Sequence, residues 1–421
     1  MSAGAADTDA LLRRFKPQLR YDSQEAFFAD SAAEMTRNPH NTLRRAPYDD
    51  RDEGALIAAA DATDALRKLS LELLAASTYA NGEAVEPGDR LGILGTDYRT
   101  QYVRLRTRLP ELRNRIYGHA ATDSGGRLWL QYWFFYFYND YHLAADLGLH
   151  EGDWEMVQLR MHGDEPDLAV YAQHRNAEER PWSDVLRADG QPDTPLVYPG
   201  RGSHASYFEP GLYETEAWFD IADGKRRTPE LELEIVQDAS PPWIAWPGQW
   251  GDTEPAVPGL EQPSPAGPAA HDQWLDPDLL RATAIRRAPR RPGPPPDVVV
   301  SRRGGRLHVA YDFTDRTGPE PSKLVVTVNS ADEKGVPPRT WTFGVESTQS
   351  GEIVTRLDLA PDRRYDVYTS VTAAANDRGA PSASVLTELG PDEPRVQTGD
   401  GVLSRLKRAA WSVTRVFSGG R

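Results

Sequence analysis

The residues best suited to chemistry lie in one short run, HEGDWE, from His150 to Glu155. Asp153 and Glu155 alternate around Trp154 at the start of a predicted strand, so both carboxylates share one strand face. Later residues on that face are apolar, and two buried carboxylates need a cation or hydrogen-bond donors to compensate them. The aromatic strand before this run ends at Asp140. Asp140, His150, Asp153 and Glu155 therefore form a candidate divalent-cation site.

The donor set indicates which ions would suit this site. Carboxylate oxygens with one imidazole favour Mg²⁺ or Ca²⁺, and Mn²⁺ or Zn²⁺ is also compatible. The alternative without a metal is that Asp153 and Glu155 pair with arginines such as Arg160 or Arg201. Spacing alone leaves both readings open.

Histidines cluster around the same run, because six of the nine lie between His119 and His204. His174 ends a predicted strand and His204 lies in the segment RGSHASY, so both are candidates for a general base. Taken singly, each is also compatible with a hydrogen-bonded core histidine. His142 and His162 are predicted to be solvated loop residues.

Composition excludes several classes of site. The chain has 421 residues, a net charge of −15 and no cysteine. Disulfides, cysteine-bound zinc, iron–sulfur clusters and cysteine nucleophiles are therefore excluded, and the acidic balance argues against nucleic-acid binding. We identify neither the pattern of a signal peptide nor an apolar run long enough to span a membrane. We expect a cytoplasmic location by default, with peripheral membrane association or non-classical export left open.

Hydrophobic patterning predicts a mainly β fold, a β-sandwich with peripheral helices over residues 15–285, after a flexible arm at 1–14. Alanine and leucine spacing predicts a helix over 55–76, and a second helix is predicted from Tyr98 to Leu109. The run LWLQYWFFYFY, Leu128 to Tyr138, predicts a strand buried on both faces. Further strands are predicted at 154–161, 168–174, 196–198 and 231–236.

A proline-rich linker at 286–296 separates this domain from a second, smaller unit over 297–392. Strands are predicted at 306–313 and 323–330. The segment LDLAPDRRYDVYTSVTA resembles the corner of a fibronectin type III domain, with Tyr365 as the corner tyrosine. We therefore expect a fibronectin type III-like β-sandwich.

The remaining residues, 393–421, are predicted to form a linker and a basic amphipathic tail helix. Val402, Leu406, Ala409, Val413 and Val416 form an apolar stripe. The basic residues, the expected contacts with a membrane or a protein partner, lie on the other arc: Arg405, Lys407, Arg408 and Arg415.

Five runs together resemble one known family. They are RYDSQEAFF (20–28), RLWLQYWFFYFYND (127–140), HEGDWEMVQL (150–159), AVYAQH (169–174) and VYPGRGSHASYF (197–208). This set is similar to the vacuolar protein sorting protein 62 family, which is related to the necrosis- and ethylene-inducing-like cytolysins. The cytolysins carry a heptapeptide, GHRHDWE, and an upstream aspartate that bind a divalent cation. The resemblance implies that His150, Asp153, Glu155 and Asp140 occupy those positions, whereas Leu149 and Gly152 depart from the heptapeptide.

Three functions follow as hypotheses. The first is a divalent-cation-dependent protein that binds a polar head group of a glycan or lipid, extending to a membrane-acting or toxin-like effector. The second is a metal-assisted hydrolase using His174 or His204. The third is a structural or cargo protein whose cation only locks loops.

Overall fold

The structure, a computed structural model, is mainly β, as predicted. It describes these residues: 5–45, 54–75, 77–93, 97–141, 149–174, 176–214, 219–252, 266–285, 298–313, 321–330, 339–344, 350–373, 385–390 and 414–415. By its internal contacts the chain divides into two compact units, the first comprising Met1–Pro210 and Asp220–Arg286 and the second comprising Gly211–Phe219 and Arg287–Arg421.

The helices are short and the strands numerous. The α-helices are α1 (Ala5–Arg14), α2 (Ala33–Arg37), α3 (Leu71–Leu74), α4 (Tyr98–Arg108) and α5 (Asp278–Ala282). The strands as far as residue 285 are β1 (Gln18–Tyr21), β2 (Asn41–Arg45), β3 (Ala55–Ala59), β4 (Arg90–Ile93), β5 (Arg115–Thr122), β6 (Leu128–Asn139), β7 (His150–His162), β8 (Glu165–Gln173), β9 (Asn176–Pro181), β10 (Arg187–Ala188), β11 (Gln191–Pro199), β12 (Ser206–Tyr207), β13 (Gly211–Glu214), β14 (Phe219–Ala222), β15 (Arg226–Arg227), β16 (Glu232–Ile235) and β17 (Ala284–Ile285).

A seven-stranded sheet forms the centre of the first unit, in the order β16-β5-β6-β7-β8-β9-β17. Strand β6 carries the aromatic run, and its residues from Trp129 to Asn139 are all buried, which confirms the prediction of a strand covered on both faces. β-branched and aromatic side chains suit such a position because they pack well on a pleated surface. Strand β7 pairs antiparallel with β6 along most of its length, so it brings the HEGDWE run into the core.

Two smaller sheets complete the first unit. One has the order β10-β11-β1-β15, with β12 paired to β11, and the other has the order β3-β2-β4. Strand β1 pairs in parallel with β11, so the beginning of the chain lies beside residues 196–197. This pairing matters for the site, because β1 and β11 each lead into a loop that supplies an acidic or histidine side chain.

Two predictions for the beginning of the chain were wrong. Residues 5–14 form α1 instead of a loose arm, because Leu11 and Leu12 are buried in the core. The predicted helix over 55–76 is instead the strand β3, a 3₁₀ turn at Ala65–Arg67 and the short helix α3. Strand β3 forms because its backbone pairs with β2, so tertiary pairing outweighs the helix preference of alanine and leucine. The predicted helix beginning at Tyr98 is present as α4.

The second unit contains two four-stranded sheets. Its strands are β18 (Val298–Arg303), β19 (Arg306–Asp312), β20 (Pro321–Ser330), β21 (Arg339–Gly344), β22 (Ser350–Asp358), β23 (Tyr365–Ala373), β24 (Val385–Leu389) and β25 (Thr414–Arg415). One sheet has the order β18-β19-β22-β25 and the other has β21-β20-β23-β24. Alternate residues of both sheets, among them Val309 and Val326, form one apolar core. The fibronectin type III assignment stays a prediction, and the linker at 286–296 lies outside the described residues.

The predicted corner tyrosine is hydrogen-bonded. The hydroxyl of Tyr365 accepts the backbone N–H of Ala360 at 2.9 Å, across the turn that precedes β23. We expect Tyr365→Phe to destabilise this unit by about 1 kcal/mol, because the N–H loses its acceptor. Hydrogen exchange of β20 amides in the full chain should accelerate roughly fivefold, whereas Asp362→Asn on the exposed turn should leave exchange unchanged. Equal exchange in both variants would contradict a stabilising corner.

The predicted tail helix lies almost wholly outside the described residues, Arg405, Lys407 and Arg408 included. The two described tail residues, Thr414–Arg415, form β25 and pair in parallel with β22, so at these positions the structure has a strand and not a helix. Elsewhere the tail helix and its membrane or partner contacts stay predictions. Among the described residues, no helix has the length and apolarity that a membrane crossing requires.

Candidate functional site

The register of β6 and β7 sets the position of the acidic residues. Asp153 pairs with Tyr136 and Glu155 pairs with Phe134, so both carboxylates lie on one face of the sheet, as predicted. Gly152 precedes them with φ of +58°, and a Cβ there would lie 2.4 Å from the carbonyl oxygen of Trp250. No side chain fits at this position, which accounts physically for the glycine in HEGDWE.

A buried histidine joins two acidic residues at this face. His204 is fully buried, and its Nδ1 lies 2.8 Å from Oδ2 of Asp153 while its Nε2 lies 3.7 Å from Oε1 of Glu25. The imidazole also stacks on the ring of Tyr136, with centroids 3.8 Å apart. Burial alone would lower the pKa of His204, but Glu25 and Asp153 raise it to about 9. The group is therefore a buried imidazolium held between two carboxylates.

Glu25 also holds the turn that carries His204. Its Oε2 accepts the N–H of Gly202 at 2.8 Å, and its Oε1 accepts the N–H groups of Ala26 and Phe27. His204 itself has φ of +56°, a conformation that non-glycine residues adopt uncommonly. The position of His204 beside Asp153 thus depends on a residue near the beginning of the chain.

Glu155 differs from Asp153 and Asp220 because no hydrogen-bond donor or positive charge stabilises its carboxylate among the described residues. Within the described residues it forms no hydrogen bond and no ion pair. Burial raises the pKa of its carboxyl well above the ordinary value, and the charges of Asp153 and Asp220 raise it further. Three carboxyl groups therefore lie close enough to interact at a partly buried position, and a positive charge beside Glu155 would lower the pKa of its carboxyl again.

Asp220 connects this group to the second candidate histidine. The buried carboxylate of Asp220 bonds Nε2 of the exposed His174 at 2.8 Å and also accepts the hydroxyl of Tyr207. Burial would raise the pKa of Asp220, but His174 and the hydrogen bonds lower it. The result is an exposed imidazole whose orientation is fixed by a buried aspartate. We call Asp153, Glu155 and Asp220 the acidic cluster.

The other two predicted metal ligands make different contacts. Asp140 forms an ion pair with Arg99 at 2.5 Å. His150 uses both ring nitrogens, because Nδ1 bonds the carbonyl of Gly152 at 2.8 Å and Nε2 bonds Asn139 at 2.9 Å. In the described part of the chain, no three acidic or histidine side chains are arranged as a ready coordination sphere.

The alternative pairing with arginine is not formed by Arg160, whose guanidinium binds Asp167 at 2.6 Å. Among the other histidines, His162 is exposed, as predicted, but it ends strand β7 and does not lie in a loop. His142 lies outside the described residues.

Sequence reasoning missed three residues of this region: Glu25, Asp220 and Glu151. Glu25 lies in the run RYDSQEAFF, which supported only the family resemblance, and Asp220 lies in a segment without a chemical signature. Only the tertiary fold brings these two residues to His204 and His174. Glu151 belongs to HEGDWE itself, but its carboxylate is directed elsewhere. It accepts the N–H of Ile93 at 2.9 Å, and burial raises its pKa to about 8.

Comparison with known proteins gives no family. No family model matches the chain, and no curated protein matches it significantly. Solved structures of NLPPya, a necrosis- and ethylene-inducing-like protein, in complex with glucosamine and with mannosamine each share 13% identity over 56% of this chain and 75% of theirs. Their TM-scores are 0.25 and 0.23. A "Myokine structure" shares 17% identity over 25% of this chain and all of that chain, with a TM-score of 0.19. Scores of this size do not establish a shared fold.

Proposed function

We propose that the first unit is a divalent-cation-dependent binding module that recognises the polar head group of a glycan or a lipid. The observation that carries the proposal is Glu155, a carboxyl near Asp153 and Asp220 that has no positive partner among the described residues. A divalent cation would supply the missing charge, and carboxylate oxygens are the donors that Mg²⁺ and Ca²⁺ prefer. Such ions keep coordination positions open for hydroxyl or phosphate oxygens.

The chemistry of the acidic cluster suits a cation, although its side chains must reorient to surround one. Asp153 offers Oδ1, since its Oδ2 bonds His204. We favour Asp220 as the third ligand, because its Oδ2 bonds His174 and Tyr207 while its Oδ1 makes no hydrogen bond within the described residues. Asp140 is paired with Arg99, and both ring nitrogens of His150 are bonded. This choice revises the set of four predicted from the sequence. The exposed His174 lies at the edge of this group, where a head group bound to the ion would meet it.

Metal content tests the site directly. We expect the chain to take up about one Mg²⁺ or Ca²⁺ after equilibration, measured by elemental mass spectrometry, because carboxylates are hard oxygen ligands. Asp153→Ala and Glu155→Gln should abolish the uptake, whereas Asp140→Ala should retain it because Asp140 binds Arg99. Unchanged uptake by Asp153→Ala would overturn the assignment, and loss in Asp140→Ala would restore the ligand set predicted from the sequence.

Head-group recognition requires a second measurement. Glycan arrays and vesicles of defined lipid composition should bind the chain in the presence of the cation and not in the presence of a chelator. Asp153→Ala should reproduce the effect of the chelator. Binding that survives both treatments would separate recognition from the cation and contradict the proposal.

A second candidate, a hydrolase, is favoured by one contact. His174 is exposed and oriented by Asp220, which is the arrangement a general base requires. If this reading is correct, the chain hydrolyses members of a panel of esters or phosphodiesters, and His174→Gln abolishes that turnover without loss of metal. Metal binding without turnover leaves the binding module as the function.

A further inference from the structure

A hydrogen-bonded network outside the acidic cluster joins β5, β6 and the turn that follows β16. Its centre is His119, a buried histidine of β5 that the proposed function does not use. Nδ1 of His119 lies 3.0 Å from Oε1 of Gln131, and Nε2 lies 3.0 Å from Oδ1 of Asp238. The indole of Trp274 stacks on the imidazole, with ring centroids 3.7 Å apart. Both ring nitrogens therefore face oxygen atoms, and the protonation of His119 decides which of the two contacts is a hydrogen bond.

The amide of Gln131 fixes the hydrogen on one of these nitrogens. Its Nε2 donates to the carbonyl of Gln273 at 2.6 Å, and its Oε1 accepts the indole N–H of Trp133 at 3.2 Å. Reversing the amide would place two donors together at Trp133 and two oxygens together at Gln273. Oε1 of Gln131 therefore faces His119, so Nδ1 of His119 must carry a hydrogen to bond it.

The position of this hydrogen determines what the second contact needs. A neutral imidazole has one N–H, and in His119 it is at Nδ1, so Nε2 directs a lone pair at the carboxylate of Asp238. Two acceptors 3.0 Å apart repel each other, whereas an imidazolium donates from Nε2 to Oδ1 in a charge-assisted hydrogen bond. The contact between His119 and Asp238 therefore requires a second proton on the ring.

Among the described residues, Asp238 is the one charged group that acts on His119. Gln131 and Trp274, which face the ring from β6 and from residues 272–274, are uncharged, and His271 makes no hydrogen bond or ion pair with it in this part of the chain. Burial lowers the pKa of His119 below its ordinary value of 6.5, although the hydrogen bonds to Gln131 and Asp238 raise it in part. The second proton is therefore bound under acidic conditions and released before neutrality.

The partner of His119 is free to respond to that change. The side chain of Asp238 is 70% exposed, so water can solvate the carboxylate once it leaves Nε2. Its Oδ1 also accepts the indole N–H of Trp274 at 3.1 Å. The turn that carries Asp238 is closed by two backbone hydrogen bonds between Gln237 and Ser240, at 2.7 and 3.1 Å. Loss of the contact with His119 therefore removes a bond that holds this turn to β5.

We propose that His119 and Asp238 form a proton-dependent latch, which fastens the turn at residues 237–240 to β5 under acidic conditions and releases it as the pH rises. The turn begins a segment that ends at Asp252, whose carbonyl accepts the N–H of Glu151 at 2.8 Å. The latch thus acts at the first residues of the segment that packs on the HEGDWE run. It requires no metal and uses no residue of the acidic cluster.

Amide hydrogen exchange of the full chain in chelator, at about pH 4.5 and about pH 8, tests the latch once intrinsic exchange rates are corrected for. The amides of Gln237 and Ser240 should be about tenfold better protected at the lower pH, because a charge-assisted hydrogen bond is lost above it. Asp238→Ala should give the weaker protection at both pH values. Asp238→Asn should give the stronger protection at both, because its amide N–H can donate to the lone pair of a neutral His119. Asp61→Asn, an exposed aspartate far along the chain, is the matched control and should behave as the unaltered chain.

Nitrogen NMR of histidine-labelled chain checks the protonation of the ring itself. His119 should carry a hydrogen at Nδ1 alone at about pH 8 and at both nitrogens at about pH 4.5, and the spectrum of His119→Gln identifies its signals. A hydrogen at Nε2 in the neutral ring would overturn the proposal, because the contact with Asp238 would then need no second proton. Equal protection of the turn at both pH values in a chain that circular dichroism shows to be folded would also overturn it. So would an unchanged pH dependence in Asp238→Asn.

Discussion

Replacing His204 with alanine is expected to destabilise the first unit by about 3–5 kcal/mol, the usual cost of removing one partner from a buried ion pair. The imidazolium lies between Asp153 and Glu25, all three residues being buried. Without it, two carboxylates remain in the core with less compensation, and the ring of Tyr136 loses its stacking partner.

Unfolding by denaturant, followed by tryptophan fluorescence in the presence of chelator, measures this loss. Eight of the eleven tryptophans belong to the first unit, so the signal reports mainly on that unit. The matched control is His162→Ala, an exposed histidine at the end of β7, which should change the free energy of unfolding by less than about 0.5 kcal/mol. A similar small change for His204→Ala would mean that the two carboxylates do not depend on the imidazolium.

The central sheet could be predicted because its signal is local. The run from Leu128 to Tyr138 is apolar and aromatic except at Gln131, and a strand buried on both faces is what such a run can form in water. The alternation of Asp153 and Glu155 likewise placed both carboxylates on one face before any tertiary contact was known. Each of these inferences needed only a short stretch of local sequence.

The parts that could not be predicted depend on pairing between distant segments. The alanine-rich segment beginning at Ala55 has the composition of a helix, yet its backbone completes a sheet with β2. Leu11 and Leu12 are too few to reveal an amphipathic helix, but they are enough to anchor α1 to the core. In both cases the structure of the segment depends on the residues it packs against. Those residues lie elsewhere in the chain, so the segment's own sequence does not reveal them.

Within the candidate site, too, some residues could be predicted from local spacing and others are positioned by distant segments. Asp153 and Glu155 were identified from spacing, whereas their partners were not. Glu25 reaches His204 because β1 pairs with β11, and the turn after β11 then carries His204 to the end of β6. That approach also requires Gly202, where a Cβ would lie 2.4 Å from the carbonyl oxygen of Asp140. A ligand set drawn from sequence neighbours alone therefore included Asp140 and His150 and could not include Asp220, the third ligand that we propose.

Replacing Glu151 with glutamine is expected to stabilise the first unit at neutral pH, by on the order of 3 kcal/mol at pH 7. Burial raises the pKa of the Glu151 carboxyl to about 8, from an ordinary value of 4.5. The unfolded chain therefore releases this proton at a lower pH than the folded chain does. Stability attributable to Glu151 is fully present below pH 4.5, falls as the pH rises to about 8, and is constant above that value.

Glutamine should avoid this loss because it is neutral and can satisfy the same partners. Its amide oxygen can accept the N–H groups of Ile93 and Asp252, which bond Oε2 of Glu151 at 2.9 and 3.2 Å. Its amide nitrogen can donate to the hydroxyl of Tyr98, which lies 3.0 Å from Oε1. The advantage of the variant should therefore be near zero at pH 4 and should grow between about pH 4.5 and 8.

Denaturant unfolding at a series of pH values checks this dependence. The matched control is Glu72→Gln, an exposed glutamate in α3, whose stability should follow that of the unaltered chain at every pH. A pH-independent difference between Glu151→Gln and the unaltered chain would show that the buried carboxyl is not the group that titrates. A loss of stability at every pH would show instead that the amide cannot replace the carboxyl in its hydrogen bonds to Ile93, Asp252 and Tyr98.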